Sequence, residues 1–144
     1  MSASNTAGTK TALTGLERAV ALARELQHAF VGTSDKAGIP HIAAAANLEI
    51  TPDKRLAVAS WFCPGTVANV QENRNVSVVV WNPLTDEGLQ IVGTVERIEE
   101  AAMLDGYAPE LEKAQPSPQV ERRLVLKVGK VIAFSHAPHT DTEI

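Results

Sequence analysis

Apolar residues follow a helical period near the start of the chain and an extended period over most of the rest. Leu16, Val20, Ala23, Leu26 and Phe30 recur at helical spacing, while Arg18, Arg24, Glu25 and Gln27 fall mostly off that stripe. Thr14 with Glu17 three residues on has the form of a capping box, so a helix is expected to start there, after a small, polar and loose Ser2–Thr11. From Phe30 the period becomes two. Phe30 to Ser34 and Ile39 to Ile50 read as antiparallel strands around Asp35-Lys36-Ala37-Gly38, a hairpin connection with glycine where positive φ is wanted. Pro40 cannot donate to a ladder, which puts the start of the second strand at an edge or beside a bulge. After the turn Thr51-Pro52-Asp53-Lys54 the pattern predicts a third strand over Arg55 to Trp61 and a well-buried fourth over Asn75 to Trp81. A long fifth strand is expected over Gly88 to Ile98, and a sixth over Leu124 to Val128, resuming from Val131 to Phe134 after Gly129. Short helices are expected from Thr66 to about Asn73, with Val67 and Val70 inward, and from Glu99 to Tyr107. Gln115 to Pro118 reads as a loop and Ser135 to Ile144 as a tail.

Six strands, short turns and few helices give a mainly β (α+β) chain: a closed or nearly closed antiparallel barrel with helices at its ends. The 144 residues are expected to form one domain, 1–144, with loose tails over 1–12 and 136–144. The hydrophobic fraction of 44% comes largely from Ala and Val, with only 4% aromatic residues, so some sheet faces carry small side chains. The net charge is -4 and the 13 Lys and Arg are scattered, which argues against nucleic acid as a principal partner. No apolar run is long enough for a bilayer and Met1 to Lys10 is polar, so a soluble cytoplasmic protein with no membrane partner is expected. The single cysteine, Cys63, excludes an internal disulfide.

Candidate chemistry gathers where the third strand gives way to a helix, Ser60-Trp61-Phe62-Cys63-Pro64-Gly65-Thr66-Val67-Ala68-Asn69-Val70. Helix starts carry unpartnered N–H groups and partial positive charge, so a phosphate can settle there. Pro64 suits the first helical position, Thr66 adds a hydroxyl, and Asn69 shares its face one turn later. The competing reading is that Pro-Gly-Thr only caps the helix. Ala43 to Ala46 in a strand wastes burial unless something bulky approaches the sheet, a second pointer to a ligand. Trp61 and Phe62 fit either stacking on a ring ligand or plain core. Cys63 fits either a redox-active thiol or, preferred, an inert buried one. His28 is read as complementing the helix dipole, and His41 and Asn47 as surface residues in preference to ligand contacts. His136, His139 and Asp141 have a metal-compatible spacing but lie in the expected tail, and no metal site is assigned. There is no nucleophile triad, no paired carboxylates in a credible pocket and no Walker or dinucleotide loop, so catalytic residues stay unassigned.

The order Phe30 to His41, Leu56 to Ser60, Thr66-Val67-Ala68-Asn69-Val70, Asn75 to Val78 and Val92-Gly93-Thr94-Val95 resembles the FMN-binding split-barrel family of pyridoxamine 5'-phosphate oxidase-like proteins, over roughly Leu16 to Phe134. The resemblance implies a six-stranded split barrel and a homodimer holding FMN at the subunit interface. It implies that Ser60, Trp61 and Phe62 run along the flavin, that Thr66 and Asn69 stand beside the phosphate, and that Ala44, Ala45 and Ala46 lie next to the ring. Trp81 and Gln90 would come from the partner subunit. Many relatives carry Lys or Arg before the Thr of the short helix, where this chain has Gly65; Lys54, Arg55 or Arg74 are the basic residues that would compensate. The expected function is an FMN-dependent oxidoreductase acting with a small substrate or electron donor. The alternatives are an electron-carrying flavin module, and a dimeric barrel holding haem, a deazaflavin or nothing.

Overall fold

A long helix, α1 (Ala3–Leu26), precedes β1 (Ala29–Ser34), β2 (Pro40–Ala45), β3 (Asn47–Ile50) and β4 (Leu56–Ser60). There follow α2 (Pro64–Glu72), β5 (Asn75–Asn82), β6 (Glu87–Met103), β7 (Val120–Ser135) and β8 (Thr140–Glu143). The computed structural model describes residues 3–60, 64–103 and 120–144, with side chains over 15–59, 65–100 and 122–144. Within them no helix is long and apolar enough to cross a membrane.

The strands form one antiparallel sheet in the order β2-β1-β5-β6-β7-β4-β3, with β8 added on β7. At 17 and 16 residues, β6 and β7 are far longer than ordinary strands. On the side of β7 away from β6, β4 occupies Arg122 to Leu126 and β8 occupies Ile132 to Ser135. β5 lines β6 only from Glu87 to Thr94. The long ribbon therefore belongs to two half-sheets. Their outer strands, β2 and β3, are joined through the single residue Ala46, so the sheet must curl until its edges meet. The result is a split barrel.

The curl is bought with bulges. Register shifts at Val92/Gly93 and Val95/Arg97 insert unpaired residues that reset the alternation of faces. Val128 and Val131 thus both face the core across the extra residue Gly129, and Val95 and Ile98 do so across Glu96. α1 covers the core side of the sheet, its Leu16, Ala19, Val20 and Ala23 sharing one buried cluster with Val31, Val78, Leu89, Leu124, Leu126 and Val131. Gly15 permits that approach, because a Cβ there would stand 3.0 Å from Ile144 Cδ1 and 3.1 Å from Val131 Cγ1.

Several expectations hold. Asp35 Oδ1 accepts the N–H groups of Ala37 and Ile39, Gly38 has φ 85°, Pro40 opens an edge strand, and Val70 is buried. Others are corrected. Among the described residues the sheet has eight strands, because Ile39 to Ile50 breaks at Ala46 into β2 and β3 and because Thr140–Glu143 pairs with β7. Ser135 to Ile144 is therefore no tail, and the Ile144 N–H donates to the Val131 carbonyl. Helix α1 begins at Ala3, so Thr14 lies inside it and 3–12 is helical backbone. Glu99 to Met103 is strand, its pairing with Val120 to Arg123 overriding the helical preference of Ala and Met; the remainder of that expected helix and the Gln115 to Pro118 loop lie outside the described residues.

A Cβ on Gly93 would stand 2.5 Å from the Lys127 carbonyl oxygen, whereas one on Gly32 would meet nothing closer than 3.4 Å. Gly93→Ala is expected to cost about 1–3 kcal/mol in urea unfolding, and Gly32→Ala to leave the midpoint nearly unchanged.

Candidate functional site

β4 delivers Ser60 to the start of α2, with Trp61, Phe62, Cys63 and the Ser60 side chain outside the described residues. α2 is seated by two amides one turn apart. Asn69 Nδ2 donates to Thr33 Oγ1 at 3.1 Å and Asn73 Nδ2 to Ser34 Oγ at 2.8 Å, on β1. Thr66 is wholly buried and partnered, and Val70 enters the core. Thr66 and Asn69 thus fix the helix, and the surface at its start belongs to the backbone around Gly65. Among the described residues, a Cβ on Gly65 would have one neighbour within 4 Å, Cε1 of His41 on β2, at 3.9 Å. Arg122 on β7 is the register partner of Ser60.

The basic residues expected to replace the missing Lys or Arg are placed elsewhere. Lys54 and Arg55 precede the far end of β4, about 15 Å of strand from Ser60. Arg55 Nε donates to Glu96 at 2.8 Å, which holds the Glu96 carboxyl below its ordinary range. Arg74 donates to the carbonyls of Val95 and Glu96 at the bulge. Of the alanines, Ala44 is exposed, Ala45 is buried in the core, and Ala46 is exposed between β2 and β3.

The outer face of the larger half-sheet carries the other expected residues. Ala44, Phe30, Val79, Gln90 and Ile132 form one cross-strand row. Trp81, Gly88, Phe134 and Asp141 form another. The Phe134 ring lies so close over Gly88 that a Cβ there would be 2.4 Å from it. Gln90 Nε2 donates to Ser77 Oγ at 2.8 Å. Trp81 Nε1 donates to Asp86 Oδ1 at 3.1 Å, and the same carboxylate accepts the N–H groups of His136 and Ala137 at 2.8 and 2.9 Å. His136 and His139 stack edge to face with centroids 5.0 Å apart, and among the described residues no group of three metal-ligating side chains comes together.

The fold and this arrangement can be placed among known proteins. A model of the pyridoxamine 5'-phosphate oxidase family matches residues 16–132. The chain belongs to that family. Among solved structures, this pyridoxamine 5'-phosphate oxidase family member is similar to an FMN-binding protein from Syntrophomonas wolfei subsp. wolfei. The two are 19% identical, with a TM-score of 0.67 and coverage of 93% of this chain and 95% of that one. A Clostridium acetobutylicum protein related to general stress protein 26 gives 18% identity, TM-score 0.60 and coverage of 90% and 94%. A pyridoxamine 5'-phosphate oxidase-related, FMN-binding protein from Nostoc punctiforme gives 12%, 0.58, and 92% and 86%. No curated protein matches the chain.

Within this family member, Asp86 was the residue hardest to foresee, since an aspartate in a polar turn carries no distinguishing pattern. It sits at φ 56° and ties the β5–β6 turn to the β7–β8 turn. The backbone N–H groups of Ala137 and His136, then the Trp81 indole, hold its carboxyl below the usual carboxylate range. A depressed folded pKa means the clasp's contribution is complete above the unfolded carboxylate pKa and is lost as pH falls through the lower folded value. The Trp81 indole N–H resonance is therefore expected to stay unshifted through the ordinary carboxylate range and to move only at more acid pH, and Asp86→Ala is expected to abolish that step.

Proposed function

We propose that this protein binds FMN and uses it for hydride or electron transfer with a small-molecule partner, as a homodimer with the flavin at the subunit interface. The observation that carries the reading is the start of α2, where Gly65 has His41 as its nearest side-chain neighbour among the described residues and where β4 arrives at Ser60, paired in register with Arg122. The first turn of an α-helix offers N–H groups without intrahelical acceptors, and those of Gly65 and Val67 suit a phosphate. Arg122 is the basic residue that would supply the charge that Lys or Arg gives in relatives, with the His41 ring beside Gly65. Ala46, exposed at the junction of β2 and β3 beside the same end of β4, leaves the sheet edge bare for a planar ring.

When bound, the isoalloxazine ring supplies the redox chemistry, so the protein's task is to hold, orient and shield it. This agrees with the absence of an assignable acid or base in the sequence. FMN-binding neighbours on the same fold support the cofactor. The dimer is supported by the exposure of Phe30 (45%) and Ile42 (65%) on adjacent strands of the outer face, apolar surface that a second copy would cover.

In FMN fluorescence titrations, Arg122→Ala and His41→Ala are each expected to weaken binding by about tenfold. Gly65→Glu is expected to weaken it further, by setting like charges together, and Lys54→Ala to leave it unchanged. Unaltered affinity in Arg122→Ala and Gly65→Glu would move the phosphate away from α2. Light scattering is expected to give a dimer at micromolar concentration and a monomer for Phe30→Asp; a wild-type monomer would overturn the shared site.

A further inference from the structure

We propose that the cleft between the last turn of α1 and the outer face of the smaller half-sheet is a binding site for a small organic acid, taken as its carboxylate. The cleft, about 360 Å³, is lined by Arg24, Asn47, Leu48, Glu49, Ala59 and Arg123. That volume falls within the range of small-molecule sites and exceeds what an inorganic ion fills. Alternation along β7 turns Arg123 to the opposite face from Arg122. The cleft shares no residue with the start of α2 or with the apolar face that carries Phe30, Ile42 and Gln90, so it rests neither on the flavin reading nor on the dimer.

Strand register builds its floor. Asn47, Ala59, Arg123 and Glu99 stand in one cross-strand row, and the small side chain of Ala59 leaves a depression between the Asn47 amide and the Arg123 guanidinium. The guanidinium has spare donors. Its nitrogens lie 3.7 Å from Glu49 and 3.7 Å from Glu99, beyond hydrogen-bond length, while Glu99 accepts Arg97 Nε at 2.8 Å. Arg24, in the last turn of α1, makes no ion pair with a described residue. Two guanidiniums and an amide therefore share the cleft with a single carboxylate, Glu49.

Charge and shape select the ligand. A cation meets two guanidiniums, whereas a carboxylate offers two coplanar oxygens that match the guanidinium fork. Glu49 now stands where such a group would reach Arg123. Its side chain is 65% exposed and its one ion pair among the described residues is that 3.7 Å contact, so it turns to solvent when a ligand takes its place. Leu48 and Ala59 supply apolar surface for the ligand's carbon skeleton.

Calorimetric titration of the full chain, with no FMN added, against succinate, its uncharged diamide and inorganic phosphate tests the assignment. Succinate is expected to bind at least about tenfold more tightly than the diamide. Arg24→Gln and Arg123→Gln are each expected to remove most of that preference, and Glu49→Gln to tighten succinate severalfold by removing the competing carboxylate. Lys130→Gln, the same change of charge at an exposed position farther along β7, is expected to leave it unaltered. Equal affinity for succinate and diamide, binding of neither, or a preference that survives Arg123→Gln would overturn the proposal. Phosphate bound more tightly than succinate, with the same dependence on Arg123, would overturn the choice of a carboxylate.

Discussion

The antiparallel pairing of β6 with β7 is the constraint on which the rest of the structure depends. Each strand serves both half-sheets, so the alternation of apolar and polar residues must stay in phase across a length at which an unbroken pleat would twist too far to close. Bulges supply the correction. Gly93 lets the Lys127 carbonyl approach where a side chain would block it, and the phase shift opposite it keeps Val128 and Val131 both on the core side. Once that ribbon is curved, β4 and β8 share one edge of β7, and Ala46 joins β2 to β3 at the seam.

The two outer faces that result are chemically unlike. Over the smaller half-sheet, Glu49, Arg123, Glu99, Arg97 and Asp53 form a chain of ion pairs; Ala57 and Ala59 on the intervening strand leave room for Glu49 and Arg123 to meet at 3.7 Å. These pairs are largely exposed and contribute little stability each. Over the larger half-sheet, Phe30, Ile42, Val79, Trp81, Ile132 and Phe134 make an apolar field with Gln90 in its middle. The start of α2 lies beside the seam between the halves, with Gly65 facing His41 of β2.

What was legible in the sequence follows physical periodicity. The stripe of α1, the Asp35–Gly38 hairpin and the edge position of Pro40 each rest on a local rule that tertiary contacts did not override. Ala46 carried no signal, because four consecutive alanines have no polarity to mark a break. Thr140 to Glu143 was polar enough to read as a tail; its strand is held by ladder bonds to β7 and by Ile144 alone reaching the core. The junction at α2 was recognisable from Pro64-Gly65-Thr66, but the residues that other strands bring to it were not. Arg122 reaches Ser60 only through strand register, and His41 reaches Gly65 only through the packing of α2 on the sheet. Lys54, Arg55 and Arg74 looked suitable because they are basic, yet their places are set by turn geometry and by Glu96.

The most direct test of the central claim is the visible absorption spectrum of the protein after incubation with FMN and removal of the excess. The account predicts retained flavin bands corresponding to about one FMN per chain. A colourless protein with its fold intact would contradict it.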